Sequence, residues 1–369
     1  MPPFYDIESL LQQAISKHYF SAASLLVFYQ GEILFQNVAG STSWDIEGLT
    51  PRPVRKNTLF DLASLTKPLV TTQLMVLFIQ EGDFSLEQTV GQLLGEPLSK
   101  ELSKTPLRAL LNHSSGLPDW RPYYASLPLK TSISKAKQFV YQSIHQEPFI
   151  YVPGTKNLYS DLGFILLGEI LEKLSGRNLD RLFQERLVVP LGLKDIGFIP
   201  RDRSAPFEKG REFAATEHSV DRKKVIVGEV HDDNAYGMGG VAGHAGLFGT
   251  ALGVYDAFQE WRNGTIGKRD FLNRSTVQAF VERERFQGDW GLGWMFPSNP
   301  STAGNTFSKK SFGHLGFTGT SIWYDPLVDL GVIFLSNRVH PTRENHALQE
   351  FRPLLHDRIY QTVIPKGQS

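Results

Sequence analysis

The stretch FDLASLTKPLVTTQLMVLFIQEGDFSLEQ, residues 60–88, decides how this chain folds and what it does. Ser64 stands three residues ahead of Lys67, Pro68 follows directly, and an apolar run comes next. Proline is tolerated in the first turn of a helix, where its missing N–H costs nothing. The spacing therefore predicts a helix opening near Ser64, with Ser64 and Lys67 on one face. Such an opening offers unpaired backbone N–H groups and positive potential, both suited to an oxyanion. A serine hydroxyl is a poor nucleophile until a base takes its proton. Lysine is usually too basic for that task, but burial or a nearby cation brings it into range. The pair reads as a nucleophile and its base. The spacing alone decides little, because Ser132 and Lys135 repeat it in SISK, where the serine reads as a helix N-cap.

The rest of the chain bounds the possibilities. Its 369 residues suggest one large or two intimately joined domains. With 41% hydrophobic and 21% charged residues the composition is that of an ordinary globular protein. A formal net charge of +0 gives no reason to expect nucleic acid or an anionic membrane as partner. The absence of cysteine excludes disulfides, thiol catalysis and cysteine-held metals. Asp6 and Glu8 interrupt the N-terminal segment early, so no signal peptide and no membrane span are read, and a cytoplasmic location is expected.

Ile7, Leu10, Leu11 and Ile15 recur at helical spacing. ASLLVFYQGEILFQNVAG then alternates around Gln30-Gly31, a β-hairpin pattern. TGTSIWYDPLVDLGVIFLSN gives two further β-rich runs, followed by a polar-faced helix from about 343 to 361. Between them, TTQLMVLFIQEG, ISKAKQFVYQSI and LGFILLGEILEKLSG are helical. The expected fold class is α/β (α+β): an antiparallel sheet built from both chain ends, flanked by helices, with a mostly helical insertion. Residues 1–80 and 210–369 are assigned to the α/β region and 81–209 to the helical one, with the site between them.

Two later segments complete the pattern. PGTKNLYSDLGFILLG places Tyr159 and Ser160 just before an apolar helix, and GHLGFTGTSIWYD places His314 and Gly316 at the start of a strand. With Ser64 and Lys67, these motifs resemble, in content and order, the serine β-lactamase and penicillin-binding-protein superfamily, in particular its class C-like branch. LRALLNHSSGLPDW adds to the likeness, which runs from about residue 20 to about 340. The resemblance implies a β-lactamase/transpeptidase-like fold and a covalent acyl-enzyme on Ser64, with no cofactor. It implies that Lys67 and Tyr159 share the proton transfers, that His314 occupies the place of a lysine in many relatives, and that the Ser64 and Phe317 amides form the oxyanion hole. Gly316 and Phe317 would border the substrate. The pattern is broken at two points. Asp161 replaces an asparagine, and its carboxylate either pairs with Lys67 or binds a substrate amine. His314 replaces the lysine and weakens the anchor for a substrate carboxylate.

HDDNAYGMGGVAGHAGLFG, residues 231–249, admits a metal site from His231, Asp232, Asp233 and His244. Adjacent ligands rarely reach one ion and no H-E-x-x-H occurs, so no metal is expected and the stretch reads as a loop beside the site. A similar stretch occurs in a subgroup of the resembled superfamily associated with muropeptide breakdown. His113 reads as a loop histidine bonded to backbone. Trp120, Tyr123 and Tyr124 read equally as cleft lining and as surface, and Trp120 is retained as a substrate-binding candidate. No serine carries glycines at both flanking positions of G-x-S-x-G. The expectation is a serine hydrolase for an amide or ester, foremost a muropeptide fragment, with a small-molecule or peptide substrate as partner and an open oligomeric state. A β-lactamase, a carboxylesterase and a catalytically silent binding protein are the alternatives.

Overall fold

The hairpin predicted around Gln30-Gly31 forms because both residues take positive φ, 52° and 83°, which matches the twist of the strands they join. It connects β1 (Ala22–Tyr29) to β2 (Glu32–Gly40) in a computed structural model that describes residues 4–364, apart from 47, 96, 128–130 and 269–270. Three strands from the other end complete the sheet. These are β6 (Phe312–Leu315), β7 (Ser321–Asp325) and β8 (Leu330–Ser336). The order is β2-β1-β8-β7-β6, antiparallel throughout, so β1 pairs with β8 and the chain ends meet in mid-sheet. Asp329, at φ 57°, makes the tight return between β7 and β8.

Both faces of the sheet are covered, which is why β1 and β8 read as nearly continuous apolar runs. Successive side chains still part company. Leu26 and Phe28 join one core, whereas Leu25 and Val27 join the other. The second core is closed by α1 (Tyr5–Ser16) and α6 (Leu348–Val363), which bring Ile7, Leu11, Leu355 and Ile359. On the opposite face α5 (Ala251–Ile266) supplies Val254, Phe258 and Trp261. That core continues without a break into α2 (Gln73–Glu81), α3 (Ile133–His145) and α4 (Asp161–Ser175), through Leu74, Val140 and Leu166. Burial of this size is worth roughly 25 cal/mol per Å² of apolar area and holds the helical part and the sheet together.

A small second sheet stitches the parts where the site lies. In it β5 (Leu247–Gly249) pairs with both β3 (Phe60–Asp61) and β4 (Ile196–Phe198). The stretch 231–249, expected as plain loop, thus contains a strand and also a short helix, Asp233–Gly237, capped by the Asp232 side chain. Helix α6 begins at Leu348 rather than near 343. Arg338 holds the Arg343 and Asn345 carbonyls, and the Asn345 side chain accepts from Ala347, so the preceding residues are fixed in a non-helical path. Ser132 caps α3 as the SISK reading predicts.

Candidate active site

Ser64 sits in a 3₁₀ turn, Ala63–Leu65, and the chain passes through a π-helical turn, Lys67–Thr72, before α2. The predicted helix opening is thus a composite, in which Ala63 takes a positive φ of 47°. Asp61 holds it. The buried carboxylate accepts from the Ala63 amide at 2.9 Å and from the His231 amide at 2.6 Å. Thr318 Oγ1 donates to the Asp61 carbonyl at 2.7 Å and Thr320 Oγ1 donates to the Leu62 carbonyl at 3.0 Å. The turn carrying Ser64 is therefore bonded to both the 231–249 segment and the turn between β6 and β7.

Lys67 is fully buried and spends its three protons on three acceptors: Ser64 Oγ at 2.9 Å, Asp161 Oδ1 at 2.6 Å and the His244 carbonyl at 3.1 Å. Burial works against its charge, but the Asp161 carboxylate and the Tyr159 oxygen outweigh it, and the ammonium ends above the ordinary lysine range. Ser160 caps α4 by accepting from Gly163, which sets Asp161 in the first turn and Tyr159 just before it. Lys67 Nζ lies 4.8 Å from the centre of the Tyr159 ring. Burial raises the Tyr159 phenol, although Lys67 and Ser64 both favour its ionised form.

His113 is a post for this segment. Its Nδ1 accepts the Ser160 amide at 3.0 Å, its carbonyl accepts the Leu158 amide at 2.7 Å, and its ring packs 4.6 Å from that of Tyr159. Burial and the Lys67 cation hold it well below the usual histidine range, so it stays neutral. Trp290, which sequence reasoning did not single out, stands 4.5 Å from His113, 5.3 Å from Tyr159 and 5.7 Å from His314. Its signal in the sequence is a tryptophan in the glycine-rich run GDWGLGW, residues 288–294.

His314 lies inside β6 rather than at its start, and Gly316 follows the strand. The His314 Nδ1 donates to the Leu315 carbonyl at 2.8 Å, and burial together with the Lys67 cation lowers its pKa to about 3. It is a neutral imidazole whose buried Nε2 has no partner among the described residues. The Gly316 amide donates to the Thr320 carbonyl at 2.7 Å. The amides of Ser64 and Phe317 donate to no other described residue.

The site opens in two directions. A cleft of about 680 Å³ reaches from Ser64 past His314, Phe317 and Trp290 to Arg338 and Arg352. A lobe of about 360 Å³ also borders Ser64 and is walled by Asp119, Trp120, Asp161, Asp232 and His244. Tyr159 and Phe317 line both. Of the four residues first considered for metal, Asp233 is committed to Arg222 and His231 to Glu217. Asp232 and His244 instead come together with Asp161, their donor atoms within 4.8 Å of one another. Within that trio Asp161 already faces Lys67 and Asp232 Oδ1 already meets His244 Nε2 at 2.8 Å.

The model of the family described as Beta-lactamase matches residues 7–355. The chain belongs to that family. A protein of Escherichia coli (strain K12) named "Putative D-alanyl-D-alanine carboxypeptidase" is 31% identical over 346 residues, covering 87% of this chain and 79% of that protein. Two solved structures share the fold with a TM-score of 0.73: EstCE1, a hydrolase with promiscuous acyltransferase activity, and a penicillin-binding protein homologue from Caulobacter crescentus. The first is 20% identical, with 96% of this chain and 97% of the other covered; the second is 17% identical, with 98% and 97% covered. The family and the fold make this chain a serine hydrolase of β-lactamase type. Among the described residues no helix is long and apolar enough to cross a membrane.

Proposed function

We propose that Ser64 is the nucleophile through which this serine hydrolase cleaves a peptide-type amide, foremost in a muropeptide fragment. One observation carries this reading: Lys67 Nζ lies 2.9 Å from Ser64 Oγ at the junction of two open lobes, with Tyr159 beside both. The curated relative's name, a D-alanyl-D-alanine carboxypeptidase, supports a wall peptide as the substrate class. A recycled wall fragment would be met in the cytoplasm, the compartment expected from the sequence.

The chemistry follows from the arrangement. Ser64 Oγ attacks the carbonyl carbon, and its proton passes to the Tyr159–Lys67 pair. Lys67 rests protonated and the Tyr159 phenol neutral, so Lys67 can accept only after giving a proton to Asp161. The carbonyl oxygen gains charge as the tetrahedral intermediate forms, and the free amides of Ser64 and Phe317 are the donors that stabilise it. The C–N bond then breaks, the amine leaves with the proton held by Tyr159, and water hydrolyses the ester on Ser64. Neutral His314 offers no cation to the carboxylate of a β-lactam or of a peptide, which argues against an efficient β-lactamase.

Treatment with a fluorophosphonate followed by peptide mass spectrometry tests the nucleophile. The adduct is expected on Ser64 and absent from Ser64→Ala, whose stability is unchanged. An adduct on Ser132 would remove this reading, and no adduct at all would favour a silent binding protein. The substrate class is tested by comparing kcat/KM for muramyl peptides with that for nitrocefin. Nitrocefin turnover near 10⁴ M⁻¹s⁻¹ or above, roughly the lower end of ordinary enzymatic efficiency, with none on wall fragments, would restore the β-lactamase.

A further inference from the structure

Asp61 is a buried carboxylate that the proposed reaction does not use. It is 3% exposed and ends β3, shortly before Ser64. No lysine or arginine pairs with it among the described residues, and the charged groups that act on it are His231 and Asp232. Burial pushes its carboxyl above the ordinary range, against two backbone N–H bonds that favour the anion. A carboxylate in such a place loses solvation that neutral amides return only in part.

What its atoms hold gives the reason for keeping it there. Oδ1 accepts the Ala63 amide at 2.9 Å, one residue before Ser64. The Asp61 carbonyl accepts Thr318 Oγ1 at 2.7 Å, one residue after Phe317. Oδ2 accepts the His231 amide at 2.6 Å, and the His231 ring stacks on that of Phe317, with centroids 5.6 Å apart and planes at 25°. The Ser64 and Phe317 amides are the two proposed oxyanion donors, and they come from segments remote in sequence. Asp61 is bonded next to both. Its bond to Ala63 also sustains the positive φ of 47° through which the chain enters Ser64. The fold has other ties at this place. The Leu247 amide donates to Thr66 Oγ1 at 3.1 Å, and Thr71 Oγ1 donates to the Gly243 carbonyl at 2.6 Å. These join the turn carrying Ser64 to the 231–249 segment without Asp61. What Asp61 adds is the spacing of the two amides.

We infer that Asp61 is a positioning residue, which sets the Ser64 and Phe317 amides at the separation that fits the tetrahedral intermediate. The inference rests on the reading of Ser64 as nucleophile and of those amides as its oxyanion donors. Asp61 lines neither lobe of the site, so it acts through the turn and not on the substrate. Its two side-chain oxygens face two N–H donors, and only a carboxylate satisfies both. Asparagine has the same shape but one oxygen, so its NH₂ would meet the amide of Ala63 or of His231. The resulting shift should weaken binding of the tetrahedral species most, because the oxyanion's charge develops only there.

The test compares a tetrahedral ligand with a planar one on the same scaffold. 1-Acetamidoethylboronic acid adds through boron to Ser64 Oγ, whose proton passes to solvent, and one boronate oxygen takes the place of the oxyanion. N-acetyl-D-alaninamide stays planar and forms no bond. Both are titrated calorimetrically into the wild type, Asp61→Asn, Thr318→Val and Thr318→Ser. The wild type is expected to prefer the boronic acid by about 100-fold or more, as transition-state analogues do. Asp61→Asn is expected to lose about 10- to 100-fold in boronate affinity with its affinity for the amide unchanged, the size of a misplaced donor. Thr318→Val should show the same selective loss to a smaller extent, and Thr318→Ser, which keeps the hydroxyl, should bind as the wild type does. An unchanged boronate preference in Asp61→Asn overturns the assignment. Equal losses for both ligands with a lowered Tm overturn it as well, and make Asp61 a structural residue. Should Asp61→Asn not fold, the Thr318 pair decides, and equal boronate affinity in Thr318→Val and Thr318→Ser overturns the assignment. A wild type that forms no boronate on Ser64 sinks the nucleophile reading and the Asp61 assignment with it. A normal wild-type boronate with an unaltered Asp61→Asn sinks the assignment alone.

Discussion

Lys67 Nζ and Asp161 Oδ1 stand 2.6 Å apart, the lysine fully buried and the aspartate side chain 18% exposed. This pair holds Lys67 in its charged form. Burial is the largest influence on Lys67 and opposes the charge, so removing the carboxylate leaves Tyr159 alone to oppose burial. Asp161→Asn is therefore expected to lower the Lys67 pKa. Because the neutral amine is the competent base, the rising limb of the pH–acylation profile should move to lower pH. Fluorophosphonate labelling rates across pH measure it. A limb that stays in place or moves up would mean that Asp161 does not control Lys67.

Lys67 and Tyr159 are expected to behave as one unit. Each meets Ser64, and Lys67 Nζ lies 4.8 Å from the centre of the Tyr159 ring. Lys67→Ala and Tyr159→Phe should each reduce acylation by roughly 10²- to 10⁴-fold, the usual size of a proton-transfer contribution. The double variant should fall little further, because groups that act together are not additive. Strictly multiplicative losses, measured as kcat/KM on one substrate, would assign them separate tasks.

How legible was this site in the sequence? The Ser64–Lys67 contact follows from helical spacing, and the sheet built from both ends follows from the β-rich runs around Gln30-Gly31 and in TGTSIWYDPLVDLGVIFLSN. Ser132 as a cap and His113 as a backbone-bonded loop residue were also readable, since both depend on local chemistry. The π-helical turn at Lys67–Thr72 was not, because apolar periodicity does not distinguish it from α-helix over six residues. Trp290, the His244 carbonyl and Arg352 were missed for another reason. Each reaches the site from an element remote in sequence, and no spacing rule links it to Ser64. The meeting of Asp161, Asp232 and His244 depends likewise on how the 231–249 stretch folds against α4.

Buried histidines should make the protein sensitive to mild acid. The pKa values of His314 and His356 are lowered to about 3, mainly by burial. Below the ordinary histidine value of about 6.5 the unfolded chain binds protons that the folded one does not. Stability is therefore lost as pH falls from about 6.5 toward 3, at up to about 1.4 kcal/mol per pH unit for each such group. The Glu217 carboxylate, lowered to about 2 by His231 and Arg343 despite its burial, adds a loss only below the ordinary carboxylate range of about 4.3. Urea unfolding between pH 7 and 5 should show the early loss. His356→Asn, far from Ser64 in sequence and outside the proposed proton transfers, should reduce the slope by about one proton. An unchanged slope in that variant would show that His356 is protonated in the fold.

Gly316 offers the sharpest test of how the strand edge positions Ser64. A Cβ there would lie 2.0 Å from Thr320 Oγ1 and 2.6 Å from the Leu62 carbonyl, both far inside contact distance. Those two atoms are hydrogen-bonded to each other at 3.0 Å, and that bond ties the turn between β6 and β7 to the turn carrying Ser64. The Thr320 side chain can rotate away, but the Leu62 carbonyl is backbone and cannot yield without moving Ala63 and Ser64. Gly316→Ala should therefore break the tie and shift the nucleophile relative to the Phe317 amide. A displacement near 1 Å costs acyl transfer about 100-fold when donors must meet a developing oxyanion. The loss should appear in kcat. Adding Thr320→Ser to Gly316→Ala keeps the hydroxyl and removes a methyl group, and it should recover little, since the clash with the backbone remains. Full activity in Gly316→Ala, measured by labelling rate and by kcat/KM, would mean that the edge of β6 does not set the position of Ser64.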